Sequence, residues 1–468
     1  MTAVVFPNQR SQPRKRLFSI YSAMFAFLLP LFAGLPYAHA RSRYVFPFSP
    51  CQEKSKLPGC LSKTFPAKVL PYTPKVYPDH GLADHMTEQG KHARGFWITP
   101  MYLFGMGPER TAAAMKKGRY DTVVLDFKDD LGQIVYPSKV PLAQAQIHVL
   151  ISDPKAMVKA FHDQGIYVIA RIVSFKDSRL PYSRPDLAVR SGRLAQRIYT
   201  SGEHWLDQHS REVQDYLLDL AQEIQTFGVD ELQFDYIRFP KGRGTLWAKW
   251  MHGGDNPPPR AQVITDFLER VDRAVTIPIS SDIFGLTTFV DGDPRNLGQH
   301  IEMLAKYVDA ISPMMYANGM DTYFRDGHIT SHVIELIQCG LQRARQKAPN
   351  IVLRPYLQGY SNGVEHIWGP EFVKDQILAA ERAGSDGILF WNPTMKNAPA
   401  MEAMREVVDN RQKTLAVAKS RWHERITANW CPAKGDVFSS QPADDGKSRR
   451  PNLAGKKPAT PCKGACAQ

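Results

Sequence analysis

The sequence predicts an α/β protein built around a (β/α)8 barrel, also called a TIM barrel, because three observations agree. Between residues 95 and 410, short runs rich in Val, Ile, Phe and Tyr alternate with longer amphipathic stretches. There are eight short runs, and several longer stretches end in the glycine typical of a helix C-terminus. The 468 residues suffice for one barrel of roughly 250 residues with extensions. Eight βα units in series favour a closed parallel barrel over an open sheet.

The eight predicted strands are bounded by changes in apolar period and by turn residues. They are residues 95–104, 122–129, 167–175, 231–239, 278–286, 309–317, 351–360 and 386–393. Helix-like stretches such as REVQDYLLDLAQEIQTFG and AQVITDFLERVDRAV separate them. We find no internal repeat beyond this alternation, so residues 95–410 are predicted to form one barrel domain.

The N-terminus has the pattern of a secretory signal. Four basic residues precede the apolar run LFSIYSAMFAFLLPLFAGLPYA, and AHA at residues 38–40 fits a cleavage site. Residues 1–40 are therefore predicted to be a signal peptide, which places the protein in a secreted or periplasmic location. An uncleaved membrane anchor is the alternative, because the apolar run approaches the length of a membrane span.

Two extensions flank the predicted barrel. Residues 41–94 are rich in Pro, Lys and Gly without a clear period, so we expect an irregular arm that packs on the barrel. After residue 410 a helical pattern continues through QKTLAVAKSRWHERI and then disappears. Residues 411–468 are therefore predicted to be a basic, largely disordered tail with at most weak contact to anionic envelope polymers.

The positive charge of the chain lies mainly outside the predicted barrel. The formal net charge is +13, to which residues 1–40 contribute +4 and residues 411–468 contribute +8. About one positive charge therefore remains for the arm and the barrel. A nearly neutral body argues against nucleic acid as a partner, and we expect a monomer that binds carbohydrate.

Six cysteines fit an oxidising compartment, in which disulfides persist. Cys51 and Cys60 bracket a short loop and are the preferred disulfide, with one further pair expected in the tail. Cys339 falls within the helical pattern VIELIQCGL, where we expect a free buried thiol. The irregular spacings, without a His pair at ligand spacing, do not fit a zinc site, and no metal or cofactor is predicted.

An acidic residue interrupts the apolar run ELQFDYIRFP, which spans residues 231–240. Side chains on a barrel strand alternate between the helix layer and the barrel axis, and active sites gather at the strands' carboxyl ends. This parity sends Leu232, Phe234 and Tyr236 toward the helices. Asp235 then points toward the axis at the carboxyl end of the fourth strand. A buried carboxylate needs either a partner or a chemical role.

The next strand repeats this pattern with a second carboxyl group. In PISSDIFGL, the same parity directs Asp282 toward the axis near the end of the strand. Two carboxyl groups on neighbouring strands are the arrangement that glycoside hydrolysis requires. One attacks the anomeric carbon or activates water, while the other protonates the leaving oxygen.

Further polar residues take inward parity on other strands and are predicted to bind substrate. These candidates are Asp126, Arg171, Arg354 and Gln358, with Asp129 on the rim after the second strand. An arginine beside an aspartate lowers the pKa of the acid and keeps it ionised, which suits a nucleophile. The alternative is that these residues form barrel-interior salt bridges without chemistry.

Aromatic residues crowd the same predicted strand ends, where they could stack on the apolar faces of sugar rings. The set is Trp97, Tyr102, Phe239, Tyr316, Tyr360 and Trp391. Of these, Tyr316 and Trp391 are the predicted substrate contacts. The alternative for each residue alone is ordinary core or loop packing.

Six motifs in this order resemble the uncharacterised bacterial family described as a "putative glycosyl hydrolase domain", which is related to the α-amylase-like glycosidases. They are VVLDFKDDLGQIVY, ELQFDYIRFP, SSDIFGLT, DAISPMMY, RPYLQGY and DGILFWNP. The resemblance covers about residues 95–410 and implies a (β/α)8 fold and a carbohydrate substrate. In amylase-like enzymes the fourth strand supplies an Asp nucleophile and the fifth an acid, which correspond here to Asp235 and Asp282. The usual fifth-strand acid is Glu, and Asp282 is one methylene shorter.

Three functional hypotheses follow from these residues. The first is a glycoside hydrolase acting on a polysaccharide or oligosaccharide, with Asp235 as nucleophile and Asp282 as acid/base. The second is a carbohydrate-binding barrel without catalysis. The third is a metal-dependent hydrolase with Asp126, Asp129 and Asp235 as oxygen ligands, which inward arginines disfavour by repelling a divalent cation.

Overall fold

A computed structural model shows a closed barrel of eight parallel strands surrounded by helices. It describes residues 69–80, 86–192, 203–241, 245, 247–293, 296–318, 333–361 and 369–422. The predicted signal peptide, the proposed Cys51–Cys60 disulfide and residues 423–468 lie outside the described residues. The (β/α)8 prediction is confirmed.

We number the barrel strands β1 to β8, and each pairs in parallel with its sequence neighbours. The barrel closes where β8 pairs with β1. In order, the strands are Arg94–Ile98, Thr122–Lys128, Tyr167–Val173, Glu231–Asp235, Ile279–Phe284, Ala310–Met314, the two segments Val352–Leu353 and Tyr356–Gln358 that form β7, and Ile388–Trp391. A separate antiparallel pair joins Arg190–Ser191 to Ala248–Lys249.

Most of the helices in the described residues follow barrel strands and bury one apolar face. The α-helices are Glu88–Lys91, Pro100–Met106, Pro108–Lys117, Pro154–His162, Leu180–Ser183, Arg211–Gln225, Arg260–Ala274, Ile301–Leu304, Val333–Lys347, Pro370–Arg382, Ala398–Asp409 and Arg411–Trp422, and the 3-10 turns include Pro141–Gln146, Pro185–Leu187 and Gly285–Thr288. Side-chain caps define several starts, as where Ser210 accepts a hydrogen bond from the Val213 amide. None of these helices has the length and apolar character that a membrane span requires.

The first strand is shorter than predicted. The apolar run 95–104 was predicted to be continuous, but β1 ends at Ile98 and helix Pro100–Met106 begins directly after it. Thr99 caps this helix by accepting from the Tyr102 amide, and proline is favoured in a first helical turn. Hydrophobicity alone therefore overextended the strand, and Tyr102 lies on a helix.

The core has two parts, which follow from the alternation of side chains along the strands. Phe96 and Phe234 belong to the large cluster between strands and helices. Their neighbours of opposite parity point inward, and the interior cluster contains Trp97, Ile169 and Tyr356. The barrel is consequently a packed core with a polar layer at its carboxyl end, where the candidate site lies.

The described part of the N-terminal arm binds the outer helices. The Tyr72 hydroxyl and the Lys75 amide both donate to Asp215 Oδ2, each at 2.9 Å. Asp215 is fully buried and is also ion-paired with Arg270 of the next long helix. Residues 69–80 therefore connect helices Arg211–Gln225 and Arg260–Ala274.

The structure contradicts the prediction of a free thiol at Cys339. The residue is buried, as its helical pattern indicated, but it is disulfide-bonded. The other five cysteines lie outside the described residues. Apolar periodicity reports burial, whereas a disulfide partner is chosen by proximity in the folded chain, which sequence spacing does not reveal.

Candidate active site

The carboxyl end of β4 presents Asp235 to the barrel axis, in agreement with the predicted parity. One layer below it, Gln233 Oε1 accepts a hydrogen bond of 2.7 Å from the Tyr356 hydroxyl inside the barrel. Asp235 is only 7% exposed and binds the inward-pointing Arg171. The carboxylate that interrupts ELQFDYIRFP therefore has a partner and also lies at the mouth.

The strand ends abruptly after Asp235. Tyr236 takes a φ of 50°, in the left-handed region that non-glycine residues rarely adopt, and its amide donates to Asp235 Oδ1 at 2.5 Å. Tyr236 was predicted to face the helices, and its ring packs against the large cluster between strands and helices. The ring lies 4.4 Å from the ammonium of Lys176, beside the ring of Trp205.

Arg171, on β3, is the centre of an acidic network. It donates from Nη1 to Asp126 Oδ1 at 2.6 Å, from Nη2 to Asp130 Oδ1 at 2.9 Å, and from Nε to Asp235 Oδ2 at 3.0 Å. One guanidinium thus faces three carboxyl groups, which come from β2, the loop after β2 and β4. Such charge-assisted bonds fix the orientation of each carboxyl group.

The surroundings of Asp126 raise its pKa, whereas those of Asp130 lower its pKa. Burial raises the pKa of Asp126 to about 6, against the opposing effect of Arg171. Burial also acts on Asp130, but the charges of Arg171 and Lys176 hold its pKa below the ordinary value. Of these two acids, Asp126 therefore accommodates a proton more readily than Asp130 does.

Asp282 lies on β5 beside Asp235, as predicted. Gln233 pairs with Ser280 and Phe234 with Ser281, so continuing this register by one residue brings Asp282 opposite Asp235. Asp282 is 1% exposed, and burial followed by the charge of Asp235 raises its pKa well above the ordinary value. Asp282 therefore holds its proton to a higher pH than an ordinary aspartic acid does.

Several buried polar atoms around Asp282 have no hydrogen-bond partner among the described residues. They are Asp282 Oδ1, Gln233 Nε2 and Ser312 Oγ. Ser312 is the register partner of Asp282 on β6, so its hydroxyl belongs to the neighbouring position on the barrel wall. Polar atoms left unpaired in a core are costly and are typical of sites that bind a ligand or water.

An aromatic wall flanks the network on the β1, β6, β7 and β8 side. The Trp391 ring centroid lies 5.4 Å from that of Tyr316, 5.2 Å from Tyr360 and 5.9 Å from Trp97. Trp97 Nε1 donates to Asp126 Oδ1, which links this wall to Arg171. Tyr316 and Trp391 are half-buried, so each presents part of its surface to solvent.

Asp129 does not join the group at the mouth. Its Oδ1 accepts from the amides of Leu131 and Gln133 at 2.9 and 2.8 Å, which closes the turn after β2. The neighbouring Asp130 contacts Arg171 instead. The sequence alone could not separate the two, because the chain leaves the strand before them and parity no longer applies.

Arg354 lies at the base of the barrel, whereas the prediction placed it at the mouth. It is fully buried and pairs with Glu231, the first residue of β4, whereas Asp235 is the last. Its Nη1 also donates to the Gly90 carbonyl at 2.7 Å. The inward direction was predicted correctly. Its position below the mouth corrects the prediction that it contacts substrate, and it fits the alternative of an interior salt bridge.

Gln358 holds two loops together at the mouth. Its Oε1 accepts from the Asn318 amide after β6, and its Nε2 donates to the Tyr360 carbonyl after β7, both at 3.0 Å. Because both ends of the amide are engaged and the residue is 1% exposed, it positions the loop that carries Tyr360.

Sequence reasoning missed a buried ion pair beneath the mouth. Lys128 and Asp177 are both fully buried, with Nζ 3.0 Å from Oδ2. Lys128 also donates to the Val173 carbonyl at 2.8 Å, so it fastens the end of β2 to the end of β3. A lysine at the end of a fully buried strand was the available signal.

The proposed metal ligands are not brought together. Asp126 and Asp235 both bind Arg171, and Asp129 binds backbone amides. Within the part of the chain that the structure describes, no group of three His, Cys, Asp or Glu side chains is arranged to hold a metal ion.

The family described as "putative glycosyl hydrolase domain" matches residues 107–397. The chain belongs to this family. The matched segment contains β2 to β8 and therefore Asp126, Arg171, Asp235 and Asp282. Membership supports a glycoside hydrolase-like domain with a carbohydrate as its substrate.

Three solved structures to which the chain is similar differ in sequence identity and in coverage. A hypothetical protein from Ruminiclostridium thermocellum is 28% identical, covering 40% of this chain and 96% of its own, with a TM-score of 0.35. The PgaB (BpsB) glycoside hydrolase domain from Bordetella bronchiseptica is 15% identical. The match covers 68% of this chain and 98% of that domain, with a TM-score of 0.47. α-L-Fucosidase isoenzyme 2 from Paenibacillus thiaminolyticus is 11% identical. The match covers 69% of this chain and 50% of the fucosidase chain, with a TM-score of 0.49. No protein of curated function matches the sequence.

Proposed function

We propose that this protein is a retaining glycoside hydrolase in which Asp235 is the nucleophile and Asp282 the acid/base. The observation that carries this proposal is the contrast between two adjacent carboxyl groups. Asp235 is ion-paired with Arg171, while Asp282 is buried and its pKa is raised well above the ordinary value. A buried carboxyl group with a raised pKa beside an ion-paired carboxyl group is the usual signature of an acid/base assignment.

In the first step, Asp235 attacks the anomeric carbon as the glycosidic C–O bond breaks, and Asp282 gives its proton to the leaving oxygen. Asp282, now ionised, then takes a proton from water, whose oxygen attacks the anomeric carbon and releases Asp235. The aromatic wall formed by Trp97, Tyr316, Tyr360 and Trp391 supports sugar binding, because apolar sugar faces stack on such rings.

We also propose that the substrate is a polysaccharide of the cell envelope or of a biofilm matrix. This rests on the secretory pattern of residues 1–40, which fits a secreted or periplasmic enzyme. The test is a screen of the purified protein against a polysaccharide panel, with new reducing ends as the readout. Asp235→Asn is the inactive control, because a reducing-end signal that survives in this variant comes from a contaminant.

The stereochemical outcome tests the assignment of the nucleophile. Neighbouring strands lie about 4.8 Å apart, so the two carboxyl groups can approach to roughly 5 to 6 Å, whereas inverting pairs need about 6.5 to 9.5 Å to admit water. We expect the product released first to retain its anomeric configuration, as followed by proton NMR. An inverted product would make Asp235 a general base and remove it as nucleophile.

A carbohydrate-binding barrel without catalysis is the second candidate, and one observation favours it. Both oxygens of Asp235 accept bonds from protein groups, Arg171 and the Tyr236 amide, and Asp282 is almost fully buried. Oligosaccharide binding by calorimetry without any new reducing ends over prolonged incubation would establish this candidate and exclude the first.

A further inference from the structure

A second cleft lies on the same face of the barrel as the candidate active site. Its volume is about 390 Å³, and its walls include His209, Trp250, Arg260 and three consecutive prolines, residues 257–259. These residues belong to the loops after β3 and β4 and to the start of the helix Arg260–Ala274. We call it the side cleft.

The side cleft is close to the catalytic residues along the chain. Phe239, whose ring centroid lies 5.7 Å from that of Trp250, is four residues after Asp235 and thus at most about 14 Å away by chain length. Gln208, next to His209, donates from Nε2 to the Arg238 carbonyl at 3.1 Å. A polymer bound at Asp235 can therefore reach the side cleft.

Arg260 gives the side cleft a fixed positive charge. Its guanidinium lies 4.4 Å from the Trp250 ring centroid and 4.7 Å from that of Phe239, and its Nη1 donates to the Asn296 carbonyl at 2.7 Å. Within the described residues this is the one hydrogen bond that its five N–H donors make. An arginine held by two rings is pre-ordered for an anion.

Other features of the side cleft also favour an anion. His209 pairs through Nδ1 with the fully buried Asp207 at 3.1 Å, which fixes the ring and directs Nε2 away from that carboxylate. Among the described residues, no side chain caps the helix that begins at Arg260, so the positive end of its dipole is open toward the same region. The described residues that line the cleft include no Asp or Glu, although the charge of Asp293, whose carboxylate accepts from the Leu297 and Gly298 amides, acts on Arg260.

The remaining walls are apolar and suit a sugar ring. The prolines at 257–259 and the indole of Trp250 offer rigid hydrophobic surfaces, and Trp250 Nε1 is itself engaged with Gln208 Oε1 at 2.8 Å. An inorganic anion would use the arginine but not these walls. The ligand that uses both is a sugar unit that carries a carboxylate, which can accept a bidentate pair from a guanidinium.

We propose that the side cleft is a carbohydrate subsite for a uronic-acid unit, so that the polysaccharide substrate is acidic. This inference deepens the proposed glycoside hydrolase function and rests on it for the identity of the polymer. The site itself consists of residues outside the catalytic network, so binding and catalysis can be tested separately.

The experiment measures calorimetric binding of three uronic-acid disaccharides that differ in ring configuration, each compared with its uncharged methyl ester. The full chain is used with Asp235→Asn to prevent turnover. We expect at least one acid to bind about tenfold more tightly than its ester. Equal affinity of every acid and ester, or no binding of any acid, would overturn the proposal without reference to any variant.

Variants locate the site. Arg260→Gln and Trp250→Leu are expected to weaken acid binding about tenfold, while Arg273→Gln, at the other end of the same helix, leaves it within twofold. If Arg260→Gln lowers the melting temperature, Arg260→Lys replaces it in this test, because lysine keeps the charge and loses the planar guanidinium. Unchanged affinity in a folded Arg260→Gln protein would overturn the site.

The two proposals fail in different ways. Acid-selective binding that depends on Arg260, without any new reducing ends from the native sequence, would keep the side cleft and reject hydrolysis. Reducing ends from neutral polysaccharides, with no preference for acidic ones and no effect of Arg260→Gln, would keep hydrolysis and reject the side cleft.

Discussion

At the scale of single residues, Asp235 and Asp282 have the same chemical group in different surroundings. Asp235 receives bonds from Arg171 and from the Tyr236 amide, all of which are donors. Asp282 Oδ1 has no hydrogen-bond partner among the described residues and faces the charge of Asp235. Donors stabilise a carboxylate, whereas burial beside a like charge stabilises the neutral acid.

We expect Asp235→Asn to remove at least about 10³-fold of turnover while the protein remains folded, since the amide keeps the shape and loses the nucleophile. The measurement is reducing-end release together with the melting temperature. Asp129→Asn is the matched control, because an amide oxygen can still accept from Leu131 and Gln133. Activity of Asp235→Asn within about tenfold of the native level, roughly 1.4 kcal/mol of barrier, would exclude the catalytic role.

Asp282 makes both activity and stability depend on pH. The acid must be protonated to act, so kcat/KM should fall as pH rises through its raised pKa. In the unfolded chain the carboxyl group titrates near 3.9, so between that pH and the raised pKa the folded state binds more protons. The contribution of Asp282 to the free energy of unfolding is therefore full below about pH 4 and is lost as pH rises.

Urea unfolding of the native protein and of Asp282→Asn across pH 4 to 9 measures this contribution. We expect Asp282→Asn to gain stability relative to the native protein as pH increases, because the amide does not ionise. Parallel stability curves over this range would show that Asp282 titrates normally, and the acid/base assignment would then lose its physical basis.

At the scale of elements, β4 carries a different function at each end. Glu231 begins the strand and pairs with Arg354 of the β7 region, with Tyr167 also donating to it at 3.2 Å. Asp235 ends the strand at the mouth. The lower pair connects strands on different sides of the barrel, and the upper residue is the nucleophile that we propose.

Breaking the lower pair should affect stability and leave substrate affinity unchanged. Arg354→Met leaves Glu231 buried without its partner, which costs about 3–5 kcal/mol in urea unfolding. The exposed pair Arg411–Glu381 is the control, and Arg411→Gln should cost less than about 1 kcal/mol. A similar cost for both variants, or a raised KM for Arg354→Met, would contradict this structural role.

The strands were predictable as elements but not in their details. Alternating apolar runs identified all eight, because each strand buries one side against helices and the other inside the barrel. The seventh run, predicted as continuous over 351–360, consists of two short segments separated by Arg354 and Pro355. Proline lacks the N–H that a ladder requires, and the run of apolar letters conceals this.

At the scale of the whole molecule, segments outside the predicted barrel join its core. The prediction placed the barrel boundary at residue 410, but helix Arg411–Trp422 follows directly, and its Ala418 is fully buried. Residues 412–422 of the helical pattern QKTLAVAKSRWHERI therefore form a helix. Residues 69–80 similarly bind Asp215 on the outer helices.

The disulfide of Cys339 gives a prediction at this scale. Without reductant, Cys339→Ser should unfold at a lower temperature than the native protein, since a disulfide typically contributes about 2–4 kcal/mol by restricting the unfolded chain. In the presence of dithiothreitol, Cys339→Ser and the native protein should unfold at the same temperature. A peptide map under non-reducing conditions identifies the partner. Equal melting temperatures without reductant, with the native cross-link shown intact, would mean that this disulfide does not stabilise the fold.

The sequence by itself determined the barrel, the direction of its inward side chains and the pair Asp235 and Asp282. These follow from periodicity, since a residue two positions along a strand lies on the same face. Only the tertiary structure decided which inward residues meet. Arg171 and Arg354 have the same parity, yet one lies at the mouth and the other at the base, because height in the barrel depends on register and shear between distant strands. Likewise, the loop contacts that separate Asp129 from Asp130 arise where the chain leaves the strand and the period of two no longer holds.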